Sequence, residues 1–170
     1  MPCEIYESLE IRAEIASLIE RLHTALQLPY SRAFYPELKL RMSKDIPIGT
    51  RAELSHVVEH KHTLARIDPK LPPVLATPWM IGWMEGACYL AQEPYCEDGE
   101  TTVGTAIHVD HRAPTGIGET VVAEAVLDRI DGRFFIYRVT ARNQQQSIGS
   151  GTVHRAVVNV KRFLEKIRDT

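Results

Sequence analysis

The sequence predicts an α+β domain in which a curved antiparallel sheet wraps around one long central helix. Residues 77–91, TPWMIGWMEGACYLA, are apolar on nearly every side of a helix, the pattern of a helix buried all round rather than along one stripe. Four segments of strand character then follow without another helix between them, and such a meander needs an apolar element to cover its inner face.

Each element has its own local reason. Leu9, Ile15, Leu18, Ile19, Leu22 and Leu26 form the stripe of an amphipathic helix between Ile5 and Leu28, ending before Pro29. Residues 29–47 mix aromatic, basic and proline residues without a period and read as a surface linker. The expected organisation is therefore an extra N-terminal helix with its linker over 1–45 and a main domain over 46–170. Residues 50–66 alternate enough for one or two strands, and DPKLPP is a loop leading into the central helix. Thr77 suits the N-cap of that helix and Pro78 its first position. After a turn at Asp98–Gly99, strands are expected over 101–113, 119–130 and 133–143, the last two joined by the hairpin signal Asp131–Gly132. A fourth, 147–160, follows the polar turn NQQQ, and KRFLEKIRD reads as a short closing helix. This order is a hot-dog arrangement.

Composition excludes several classes of function. With 170 residues, 44% of them hydrophobic, the chain is long enough for one domain with a real core. A net charge of −2 with mixed signs offers no field for a phosphate backbone or an anionic membrane. Neither nucleic acid nor a membrane is an expected partner. Cys3, Cys88 and Cys96 form no CxxC pair and leave one over in any disulfide scheme, and the N-terminus has charges where a signal peptide needs an apolar run. A cytoplasmic location is expected. The sequence holds no GxSxG, GxGxxG, HExxH or phosphate-loop motif, and neither a metal nor a cofactor is expected.

The residues that could carry chemistry begin with Glu85, a lone carboxylate in an apolar helix, which needs a partner or a role. On the strand TTVGTAIHVDHRA, alternation puts Val103, Thr105, Ile107, Val109 and His111 on one face and His108, Asp110 and Arg112 on the other. His111 is then either a core histidine satisfied by a backbone carbonyl or the acid/base partner of Glu85 in one apolar space. Thr77 adds a hydroxyl at the helix N-terminus, as a plain cap or beside developing negative charge. Eight residues of helix, about 12 Å of rise, separate Thr77 from Glu85, so another element or a second subunit must complete any site containing both. Gly149, Gly151 and Arg155 share strand parity if no bulge intervenes, which places glycines beside a guanidinium; the alternative is an exposed arginine on a strand edge. In HVVEHKH, His56, His60 and His62 share a face of an extended strand, a spacing that matches no standard zinc signature.

Several separated blocks, in order, resemble the hot-dog thioesterases related to the fluoroacetyl-CoA thioesterase: LATPWMIGWMEGAC, EPYCEDGETTVGTAIHVDHRAPTGIGETV, DGRFFIYRV and IGSGTVHRAVV, from about Ile46 to Phe163. The resemblance implies hydrolysis of an acyl-CoA or acyl-carrier thioester by a catalytic set of Thr77, Glu85 and His111, with Gly104 and Arg155 close to the acyl group and its thioester. It implies a homodimer or larger homo-oligomer, and Glu85 as nucleophile or general base. The segment 64–76 holds no aromatic residue, so a phenyl lid over a very small fluorinated acyl group is not expected. Another short or medium acyl group is, with Trp79, Trp83, Val74 and Leu71 as pocket walls. Two other readings stay open: a hot-dog hydratase or dehydratase, and a non-catalytic domain that binds acyl thioesters or acts as a scaffold.

Overall fold

The computed structural model describes residues 45–168. The expected N-terminal helix, and its linker as far as Lys44, lie outside them. The elements in order are β1 (Arg51–Val57), a short helix α1 (Leu64–Ile67), α2 (Thr77–Gln92), β2 (Glu100–His111), β3 (Thr120–Asp131), β4 (Phe134–Arg142), β5 (Ser147–Asn159) and α3 (Val160–Arg168). The five strands form one antiparallel sheet in the order β1-β3-β4-β5-β2. The expected α+β hot-dog architecture is what the chain adopts.

The hairpin between β3 and β4 forms where its turn residues place it. Asp131 pairs with Phe134, and Gly132 adopts φ 61°, a conformation that side chains disfavour. Residues 50–66 make one strand rather than two. Beyond Val57 the Val58 N–H donates to Glu119 O, and Glu59 N–H donates to His62 Nδ1, which closes a 3-10 turn over His60–His62.

The inner face of the sheet carries Val121, Ala123, Ala125 and Leu127 of β3, Phe135, Tyr137, Val139 and Ala141 of β4, and Val153 and Val157 of β5. Against it α2 buries Met80, Trp83, Met84, Ala87, Cys88 and Ala91. The helix is not enclosed on every side, because the sheet covers only one flank; Trp79, Gly82, Tyr89 and Leu90 face away from it and are exposed. Burial pushes the Cys88 thiol up to about 12, so this cysteine packs rather than reacts. Among the described residues, no helix is long and apolar enough to cross a membrane.

Small residues let α2 and β2 approach β5. A Cβ on Gly149 would lie 2.7 Å from Met80 Sδ, and one on Gly151 would overlap the β2 backbone at His108 O. Gly151→Ala is therefore expected to lower stability by about 1–3 kcal/mol, the usual cost of overpacking, read as a lower denaturation midpoint. An unchanged midpoint would show that β2 can move away freely.

Candidate active site

The central helix starts one residue away from its expected cap. Ala76 holds the N-cap position without a side-chain cap, and Thr77 and Pro78 are the first two helical residues. The Thr77 hydroxyl turns elsewhere: its Oγ1 lies 2.9 Å from His111 Nδ1. On the other side of the ring, His111 Nε2 lies 3.1 Å from Ala113 O. A carbonyl can only accept, so Nε2 carries a proton, and in the neutral ring Nδ1 is left to accept from the Thr77 hydroxyl. The backbone-carbonyl reading of His111 is the one observed, and the nitrogen left free faces the Thr77 hydroxyl rather than Glu85.

The chain delivers Thr77 along a strap held from two directions. Ala76 N–H donates to His62 O at 2.9 Å and Leu75 N–H to Thr115 O at 2.8 Å, while Val74 bridges to Gly116. Of the three histidines in HVVEHKH, only His56 lies in the strand, so they do not share a face. His56 stacks on Trp83, and His62 meets Trp79 and Trp83 edge-on. Among the described residues, no group of three His, Cys, Asp or Glu is arranged to hold a metal ion.

Glu85 has a partner, and it is Arg155 rather than His111. Arg155 Nη1 donates to Glu85 Oε1 at 3.4 Å, its Nε to Thr102 Oγ1 at 2.8 Å and its Nη2 to Thr102 O at 2.7 Å. The arginine side chain is 7% exposed and the glutamate 32%, so the cation is the buried partner and the carboxylate faces open space. Arg155 is not on a sheet edge, because β5 is flanked by β4 and β2. The glycine beside this pair is Gly104, which pairs with Arg155 in register and whose missing Cβ leaves room for Glu85 Oε1. Gly149 and Gly151 make room for Met80 and the β2 backbone instead.

A bulge explains how β2 serves both groups. Gly104 pairs with Arg155 and Ala106 with His154, which leaves Thr105 as the extra residue. Alternation reverses there: Thr102 and Gly104 face inward before the bulge, and Ile107, Val109 and His111 after it, opposite Val153, Gly151 and Gly149. The expected inward placement of Val103 and Thr105 is corrected accordingly. Thr102, buried and fixing two guanidinium nitrogens, was missed by sequence reasoning; only Gly104 next to the extra Thr105 hints at the reversal.

A cleft of about 460 Å³ opens at Glu85, lined with Gly104, Thr105, Ala106 and Ile107. Trp79, Val74 and Leu71 do not line it. Trp79 and Trp83 lie towards the histidines beside β1, and Trp79 and Leu71 are 42% and 41% exposed. Within one chain the two polar pairs stand apart, since Gly104 and His111 are separated by roughly 20 Å of strand.

Comparison with known proteins agrees with this fold. The family model described as fluoroacetyl-CoA-specific thioesterase (FlK) matches residues 58–161. The chain belongs to this family. The fluoroacetyl-CoA thioesterase of Streptantibioticus cattleyicolor is 39% identical over 133 residues, covering 75% of this chain and 96% of that protein. A solved structure of fluoroacetyl-CoA thioesterase superposes with a TM-score of 0.70 at 38% identity, over 75% of this chain and 98% of that one. A thioesterase superfamily member from Thermus thermophilus gives 0.69 at 28% identity, over 74% and 93%. The fluoroacetyl-CoA-specific thioesterase family member described here is thus a thioester hydrolase of the hot-dog fold.

His62 connects the strap to pH. Its burial, then the nearby Lys61, hold its pKa below the ordinary histidine value. The unfolded chain then binds the proton more readily, so stability is full above the unfolded value of about 6.5 and declines as pH falls below it. Denaturation midpoints measured from pH 7.5 to 5 should fall, and His62→Asn, which keeps an acceptor but cannot titrate, should flatten that decline. An equally steep decline in the variant would place the effect elsewhere.

Proposed function

We propose that this thioesterase hydrolyses an acyl-CoA, or the same acyl group on a carrier protein, to free acid and thiol, using Thr77, Glu85 and His111. The observation that carries the reading is the Thr77–His111 contact at 2.9 Å, with the far ring nitrogen on a backbone carbonyl. That is a hydroxyl, a base and an orienting group in sequence. Thr77 orients the thioester or the attacking water, and His111 takes up and returns the proton. Glu85, paired through one carboxylate oxygen and facing the cleft, attacks the carbonyl or activates water to do so. Water adds to the carbonyl carbon, the carbon–sulfur bond breaks, and the thiolate leaves with a proton. Arg155 holds Glu85 in place at the cleft, and Gly104 leaves space beside it.

The site is shared between two copies of the chain. The outer edge of β2 pairs with no other described strand. Antiparallel pairing of two such edges sets the Gly104 end of one against the His111 end of the other, so each Glu85 meets the partner's threonine–histidine pair. The exposed Trp79, Tyr89 and Leu90 of α2 are apolar surface that a second copy would cover. No aromatic residue lies in 64–76, which favours a short or medium acyl group over a very small fluorinated one, with Trp79, Val74 and Leu71 walling the completed pocket.

Thiol release from acetyl, medium-chain and arylacetyl CoA esters tests this directly. Wild type should rank them, and Glu85→Gln should lose on the order of a hundredfold or more in turnover at near-unchanged stability. An active Gln variant would sink the mechanism, and no release from any ester would favour an acyl-thioester-binding domain.

A further inference from the structure

We infer that Glu119, acting with Asn143, is a positioning residue for the Thr77–His111 pair; the inference rests on the role proposed for that pair. Glu119 lies in the connection from β2 to β3 and touches neither residue. Its Oε1 accepts from Gly116 N–H at 2.6 Å and its Oε2 from Asn143 Nδ2 at 2.9 Å. Asn143 is buried at the β4–β5 turn, where its Oδ1 accepts from Gln145 N–H at 3.0 Å and Gln146 N–H at 2.8 Å. One carboxylate therefore ties the β2–β3 loop to a second turn through charge-assisted hydrogen bonds.

That loop reaches the site at three points. Ala113 O accepts the His111 Nε2 proton, Thr115 O accepts Leu75 N–H, and Gly116 bridges Val74. The first contact sets the tautomer and angle of the imidazole, and the other two hold the strap that ends at Thr77. Both partners of the 2.9 Å contact are thus placed by one loop. Backbone bonds hold the loop's two ends, Arg112 N–H to Ile148 O and Gly118 N–H to Val58 O. The Glu119 carboxylate is the side-chain tie between them, since Gly116 and Gly118 bring no side chains and Ile117 is exposed. Gly118 adopts φ 89°, so the turn can accept the carboxylate without strain.

Geometry also supplies a rescue. In Glu119→Gln one of the two donors faces an NH₂ group, and the loop loses one of its ties. Adding Asn143→Asp reverses the polarity of the pair: residue 119 keeps an oxygen for Gly116 and donates its NH₂ to the new carboxylate, which still accepts from Gln145 and Gln146.

The experiment measures kcat and KM for both variants on the acyl-CoA that wild type hydrolyses best, with denaturation midpoints and His111→Ala beside them. Misplacement of reacting groups by about 1 Å costs up to a hundredfold, so Glu119→Gln should lower kcat by ~10- to 100-fold. KM should change less than kcat, because the residues lining the cleft at Glu85 are untouched. The double variant should recover most of kcat. Wild-type turnover in Glu119→Gln overturns the inference, as does a folded double variant no faster than the single one. Where the single variant does not fold, the double variant decides alone: wild-type turnover supports the exchange of polarity, and a folded but slow enzyme overturns it. Full activity in His111→Ala would instead refute the underlying role of the pair, whatever Glu119 does.

Discussion

Arg155 sits buried on the inner face of β5, and a guanidinium taken out of water costs several kcal/mol unless its N–H groups find acceptors and its charge a partner. Thr102 supplies two acceptors and Glu85 the charge. Each supplier imposes a further condition. Thr102 must face inward on β2, the carboxylate must approach that strand closely, and Gly104 is the residue whose lack of a Cβ permits it. Three residues later the same strand must still turn Ile107, Val109 and His111 inward. No unbroken alternation meets both demands, and the bulge at Thr105 does. The cleft, the ion pair and the direction of the imidazole follow from how one buried cation is satisfied.

The parts of this arrangement legible in the sequence are those set locally. A long apolar run bounded by prolines gives α2, and Asp131–Gly132 gives a turn because Gly132 can take a positive φ. The parity of β5 from Gly149 to Arg155 is also readable, since the strand is unbroken. What the sequence does not show is set by distant partners. The bulge belongs to the pairing of β2 with β5, so simple alternation assigned Val103 and Thr105 to the wrong face. The strand through His56 is held by β3, sixty-odd positions further on, and stops where Glu59 N–H turns to His62 Nδ1, and no spacing rule in HVVEHKH reveals that. Arg155 could equally have been an edge arginine, because strand order is invisible until the sheet closes.

The helix start shows the same division most sharply. Threonine before proline is a good local cap signal, yet the hydroxyl belongs to His111, thirty-four residues away. A side-chain cap contributes about 1 kcal/mol, and α2 forgoes it. The sheet makes up the loss, since the buried flank of the helix packs along the core while the strap through Ala76 holds its first turn in place. The helix start has an electrostatic consequence. Pro78 has no N–H and the Trp79 and Met80 N–H groups donate to Ala76 O, so what stands beside the hydroxyl–imidazole pair is the positive end of the helix dipole. In the proposed hydrolysis the thioester oxygen gains negative charge as the carbonyl carbon becomes tetrahedral, which is the charge a dipole stabilises best when it is fixed beforehand. A threonine turned back to cap its own helix would have hidden its hydroxyl from the base, so the local stability α2 lacks and the chemistry proposed for it have a single structural origin.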